Sequence, residues 1–248
     1  MLPLRFRLLI SFLFLIHFSQ TSLAQNKITA LKETVKLLKD ARADRIHGDY
    51  ENSLLKSRVA LEQAIKNKDN SSISHSYLVI ASNFDELAEP LKALHYYNLG
   101  LYYANKTNNN DLKNQLYNNL GNIYCFDKKQ YDRGIYYYKK SLQSSEQILN
   151  RKQVFLTKLN LVWAYFDIEK FEEGYPYLQY INKYQSIDGT GSTIVVLNML
   201  NGMYYSFTND LKKATASFEK AIELGNIGNE KSDLAYSHLE YSKFLNKN

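Results

Sequence analysis

The residue types that could carry bond-breaking chemistry are few in this chain, and they are far apart. Four of its five histidines, His47, His75, His95 and His238, lie beyond the first 24 residues, and each falls in a different stretch of the helical pattern. There is no His-Glu-x-x-His, Cys-x-x-Cys or Gly-x-x-x-x-Gly-Lys sequence, so neither a zinc site nor a phosphate-cradling loop is signalled. Gly189-Thr-Gly191 is a two-glycine turn with no strand pattern before it. Cys125 is the single cysteine, and no adjacent His or basic residue is present to stabilise its thiolate, so it reads as a buried structural thiol. These residues predict no enzyme, no cofactor and no metal. The chemistry left is that of recognition: amide side chains and aromatic rings, with 21 Tyr among 14% aromatics.

Composition narrows what such residues are mounted on. The chain has 248 residues, 45% of them hydrophobic, enough for a continuous core. Ten Gly and three Pro are too few for a turn-rich β protein and favour long helices. Residues 1–24 read as a signal peptide: Arg5 and Arg7, an apolar run from Leu8 to Phe18 that is too short to span a bilayer, and Ser22-Leu23-Ala24 before a cleavage site. An exported protein, periplasmic or extracellular, follows. The competing reading of the same residues is an uncleaved membrane anchor. Removing them lowers the formal net charge from +6 to +4. The remaining Lys and Arg alternate with acids, as in Lys128-Lys129-Gln-Tyr-Asp132-Arg133, which gives nucleic-acid binding no support.

The chain repeats itself. A small residue, a large one four later and another small one three further on occur at Ala93/Tyr97/Gly100, Gly134/Tyr138/Ser141 and Ala214/Phe218/Ala221, and more loosely at Ser53/Ser57/Ala60 and Gly174/Leu178/Ile181. The leading residues are 40, 41, 40 and 40 apart. Around them the apolar period is helical, and polar joints such as Asn67–Ser72 and Thr107–Asp111 separate the units. The reading is one domain, 25–248, of antiparallel helix pairs at roughly 30–68, 71–107, 111–149, 152–185 and 192–226, closed by a lone helix at 230–246. The expected fold class is all-α, an α-solenoid of about five helix pairs.

Tyr117-Asn-Asn-Leu-Gly-Asn-Ile-Tyr124, followed by Tyr131-Asp-Arg-Gly-Ile-Tyr-Tyr-Tyr-Lys-Lys-Ser-Leu142, resembles a tetratricopeptide repeat, and Gly202 to Tyr205 with Leu211 to Ile222 supports the same resemblance. The unit here is longer than the usual 34 residues. One residue is inserted between Phe126 and Tyr131. The family implies an interaction surface, with the first helix of each pair lining a groove for a protein or peptide partner. Carried over position by position, the resemblance selects Ser82; Asn118, Asn122 and Phe126; Trp163, Phe166 and Asp167; and Met203 and Phe207. Asn118 and Asn122, one turn apart, would bracket a peptide backbone or a carboxylate, and Trp163 would anchor an apolar side chain. Basic residues that would clamp an acidic terminus are almost absent from this stripe. A related reading makes the chain the extracytoplasmic sensor part of a larger bacterial signalling protein, a histidine kinase or DNA-binding regulator, held at the membrane by a C-terminal continuation.

Overall fold

The computed structural model describes residues 28–189 and 191–247, so the expected signal peptide lies outside the described residues. Packing divides the chain between Asn108 and Asn109 into two compact units. The first holds α1 (28–46), α2 (Tyr50–Lys66), α3 (Asn70–Glu86) and α4 (Pro90–Ala104). The second begins with α5 (Asn110–Asn122), which runs into a π-helical turn at Ile123–Asp127. It continues with α6 (Tyr131–Gln147), α7 (Arg151–Phe166), α8 (Phe171–Asp188), α9 (Ser192–Phe207), α10 (Leu211–Gly228) and α11 (Lys231–Lys247). Within each unit helices adjacent in sequence pack against one another as antiparallel neighbours, and α11 closes the second unit against α9 and α10. The all-α, paired-helix class read from the sequence is the class observed. No described helix is long and apolar enough to cross a membrane.

Helix ends are set by residues at the polar joints. Asp49, Asp69, Asn109, Asn150 and Asp210 each accept a backbone N–H from the first turn of the following helix, at 3.0–3.2 Å. These bonds satisfy donors that the helix cannot use itself. The preceding helices mostly stop at a left-handed residue: Gly48, Lys68, Ala88, Lys129, Leu149, Glu169, Asn209 and Asn229 all have φ between 53° and 81°. The residue after each of these returns its N–H to a carbonyl five positions back, as in Glu89 to Phe84 at 2.8 Å and Lys170 to Tyr165 at 2.9 Å. After Lys129 the return is six positions, Gln130 to Tyr124 at 2.7 Å. That longer return is the inserted residue. It is absorbed by widening the end of α5 into a π turn, where Lys128 N–H donates to the Ile123 carbonyl at 3.0 Å, and the connection to α6 keeps its length.

The repeated small–large–small residues are the contacts between helices. Tyr97, Tyr138, Leu178 and Phe218 are all buried, as are Ala93, Gly134, Ala214 and Ser141. Removing such a side chain from water contributes roughly 2–3 kcal/mol. The Tyr138 ring lies so close to α5 that a β-carbon on Gly121 would stand 2.4 Å from it. The glycine of the Leu-Gly pair is therefore a requirement of the aromatic that packs against it. Between α5, α6 and α7 the core contains a polar thread: Asn114 Nδ2 donates to Ser141 Oγ at 2.8 Å, and Ser141 Oγ lies 3.2 Å from Thr157 Oγ1.

Candidate functional site: the inner helix face of the second unit

In the second unit the first helices of the three pairs, α5 with its π turn, α7 with its C-terminal cap Asp167, and α9, carry eight of the nine residues selected from the sequence. Seven of them fall into three groups. The first is a cluster of amides. Asn160 Nδ2 donates to Asn118 Oδ1 at 3.1 Å and reaches Asn122 Oδ1 at 3.5 Å, while the Tyr138 hydroxyl donates to Asn122 Oδ1 at 2.8 Å. Both acceptor oxygens are thereby spent inside the protein. Among the described residues nothing takes the Nδ2 donors of Asn118 and Asn122, and both side chains are half-buried.

The second group is aromatic with one carboxylate. The π turn holds the Phe126 ring 5.2 Å from Trp163 at an interplanar angle of 62°. Tyr236, from α11, meets Trp163 from elsewhere at 5.3 Å and 86°. Asp167 stands one turn beyond Trp163 on the same face and accepts a hydrogen bond from the Tyr131 hydroxyl at 3.1 Å. The Asp167 side chain reaches solvent on one side while protein crowds the other. Its carboxyl is pushed above the usual carboxylate range, chiefly by desolvation and further by Glu240; the Tyr131 bond, Lys129 and Lys243 oppose this. Tyr131 is pushed up to about 12, by desolvation first and then by Asp167.

The third group lies at α9. Met203 lines a small cavity of about 110 Å³ with Phe171, Phe218 and Phe244, and the Phe207 ring stacks on Phe171 at 4.5 Å while remaining 46% exposed.

Two of the selected residues do not join these groups. Phe166 is only 1% exposed; its ring packs against Phe171 at 4.8 Å and Tyr204 at 6.2 Å, and it fills the space left open beside Gly174. It is therefore a core residue, with no surface to offer a ligand. Ser82 belongs to the first unit, where its hydroxyl lies 3.3 Å from that of Tyr97, which in turn donates to Asp85 at 3.2 Å.

Asn160, Tyr131 and Tyr236 are members of the site that sequence reasoning missed. Asn160 had a visible signal, since Asn160-Leu161 stands in the fourth pair where Asn119-Leu120 stands in the third. Tyr236 had none, because its contact with Trp163 joins residues far apart in the chain. Cys125 behaves as read from the sequence: it is buried, and burial pushes its thiol up to about 12.

A family model described as tetratricopeptide repeat matches residues 115–148 and 198–224. Those two stretches, α5–α6 and α9–α10, are tetratricopeptide repeats, and the fold around them is of the tetratricopeptide-like solenoid class. Among solved structures, BtubC from P. vanneervenii is similar at a TM-score of 0.63 and 17% identity, over 84% of this chain and 92% of that one. A Rap protein complexed with Competence and Sporulation Factor is similar at 0.64 and 15%, over 87% and 64%. Aspartyl phosphate phosphatase F from Bacillus subtilis follows at 0.66 and 14%, over 87% and 59%. At these identities the likeness is one of fold. No curated protein matches the chain by sequence.

Proposed function

We propose that this protein is an exported, non-catalytic binding module that takes an extended segment of a partner protein or peptide along the inner helix face of its second unit. The observation that carries the reading is the pair of unspent amide donors on Asn118 and Asn122, beside the half-buried rings of Phe126 and Trp163. A peptide backbone offers carbonyls in a row, and donors one helical turn apart match alternate carbonyls while the rings accept a side chain. The oxygens of both amides are held by Tyr138 and Asn160, so the donors are oriented before a ligand arrives and little ordering is left for binding to supply. Export rests on the apolar run and small residues of 1–24.

The test is selection from a random peptide library by the chain from Gln25 onward, beside an Asn118→Ala, Asn122→Ala variant shown by circular dichroism to keep its helicity. Peptides that bind the parent and are lost by the variant support the groove. Equal binding by both, or selection of no peptide at all, would sink it.

A further inference from the structure

This chain repeatedly places its own cations over its own rings. Lys92 lies 5.2 Å from the Phe84 centroid, Arg133 4.2 Å from Tyr124, Lys158 3.9 Å from Tyr180, Lys106 4.0 Å from Tyr102 and Lys213 5.3 Å from Tyr205. Several of these pairs recur at equivalent repeat positions: Phe84, Tyr124 and Tyr205 each receive a cation from the first turn of the next helix. The rings at the candidate site break this habit. Among the described residues no ammonium or guanidinium is placed over Phe126, Trp163 or Tyr236, although Trp163 meets the other two at steep angles of 62° and 86°.

In an edge-to-face pair one ring meets the other's face with its positive rim, so the ring that supplies the rim keeps its own negative faces free for a positive group. All three rings are accessible: Phe126 and Trp163 are half-buried and Tyr236 is 43% exposed. At the edge of the group stands Asp167, whose one hydrogen-bond partner among the described residues is the neutral Tyr131 hydroxyl. The charged groups that face it are Lys129, Lys243 and Glu240, and Lys243 is already paired with Glu240 at 2.6 Å. A carboxylate partly stripped of water and without an ion-pair partner gains most from a cation brought by a ligand.

We propose that Phe126, Trp163 and Tyr236, with Asp167 at their edge, form a subsite for a basic side chain, Arg or Lys, of the bound peptide segment. The proposal rests on the groove reading above and gives the partner its chemistry. Affinity comes from the ring faces and charge selection from Asp167, while the neighbouring amides hold the backbone. One wall, Tyr236, is supplied by α11, so the subsite is complete only when the closing helix is docked.

Trp163 is the only tryptophan in the chain, so its fluorescence reports this place alone. The probe is N-ethylguanidinium chloride, titrated at constant ionic strength and below denaturing concentration, against its uncharged counterpart N-ethylurea. A saturable shift with the guanidinium alone is expected. It should weaken about fivefold in Asp167→Asn and about threefold in Tyr236→Ala, with circular dichroism unchanged, while Asp127→Asn, at an exposed carboxylate outside the group, leaves it as in the parent. Equal response to the urea, or a response indifferent to both variants, overturns the subsite. The peptide selection separates the two ideas. Selected peptides with no enrichment of Arg or Lys would overturn the subsite and leave the groove standing. A guanidinium response that depends on Asp167, together with failure to select any peptide, would retain the cation subsite and remove the groove.

Discussion

Gly134 occupies a position where the second and fifth pairs have alanine, Ala93 and Ala214, and the structure gives the reason in one atom. A β-carbon built on Gly134 would lie 2.1 Å from the sulfur of Cys125, 3.0 Å from the Gly121 carbonyl oxygen and 3.1 Å from the Cys125 nitrogen. Ordinary contact is about 3.5–4.0 Å, so the sulfur would have to retreat by more than about 1 Å inside a filled core, where Cys125 is 0% exposed. Overpacking of this kind costs about 1–3 kcal/mol, and the better helix propensity of alanine returns up to about 1 kcal/mol. Gly134→Ala should therefore destabilise the protein by about 1–2 kcal/mol.

Cys125→Ala alone should cost about 1 kcal/mol through the space it leaves. In the double variant the new methyl enters that space, so the two effects should not add: a coupling of about 2 kcal/mol is expected. The two backbone contacts persist, which keeps the double variant somewhat below the parent. Urea unfolding of the four proteins, followed by far-ultraviolet circular dichroism, measures the cycle. Additive costs within about 0.5 kcal/mol, or a neutral Gly134→Ala, would refute the argument that the sulfur in the π turn dictates the glycine.

Three further outcomes follow from the same structure. Leu149 is 86% exposed and held at φ 54°, so Leu149→Gly should stabilise the chain by about 0.5–1 kcal/mol, seen as a raised urea midpoint. The Tyr138→Phe variant removes the hydroxyl that holds Asn122; it should cost about 1 kcal/mol and also weaken peptide capture, because one amide loses its orientation. Asp233 is raised to about 6, by burial first and then by Glu230. Its folded form thus binds the proton more tightly than the unfolded chain does, and stability falls as pH rises from about 4 through 6. The full linkage of about 3 kcal/mol is cut by solvent screening, because the side chain is only half-buried, to about 1 kcal/mol. Asp233→Asn should therefore stabilise at pH 8 and give no gain at pH 4, checked by thermal unfolding at both.

What was legible in the sequence was local. The helical period and the small–large–small spacing marked the residues that pack between helices, and Tyr97, Tyr138, Leu178 and Phe218 are indeed buried. The Asp and Asn of the polar joints cap helices because capping needs only a side-chain oxygen and the next turn. Phe126, Phe166 and Phe207 show where this kind of reading stops: one residue type, selected as one stripe, yet Phe166 is buried while Phe207 is 46% exposed. What separates them is the opening beside Gly174 on the next helix, which depends on distance in space. The extra residue was visible as a spacing of 41, but a count does not say whether a loop or a helix absorbs it. The wall supplied by Tyr236 is a contact between residues 73 positions apart, and no periodicity encodes that.

The left-handed stops have a consequence for how such a chain can change over time. They fall at 48, 68, 88, 129, 149, 169, 209 and 229, so their spacings are whole steps of 20 with a single extra residue near the π turn. Seven of these stops lock their connection through the five-position return bond and the one at Lys129 through a six-position bond, which leaves the turns little room to lengthen. A length change then has to enter a helix, and there it rotates the side chains beyond it while the packing between pairs is kept. In the third pair that rotation falls on Phe126. Single-residue insertions and deletions could thus act as a vernier on this surface, altering which ring a partner meets without rebuilding the scaffold behind it.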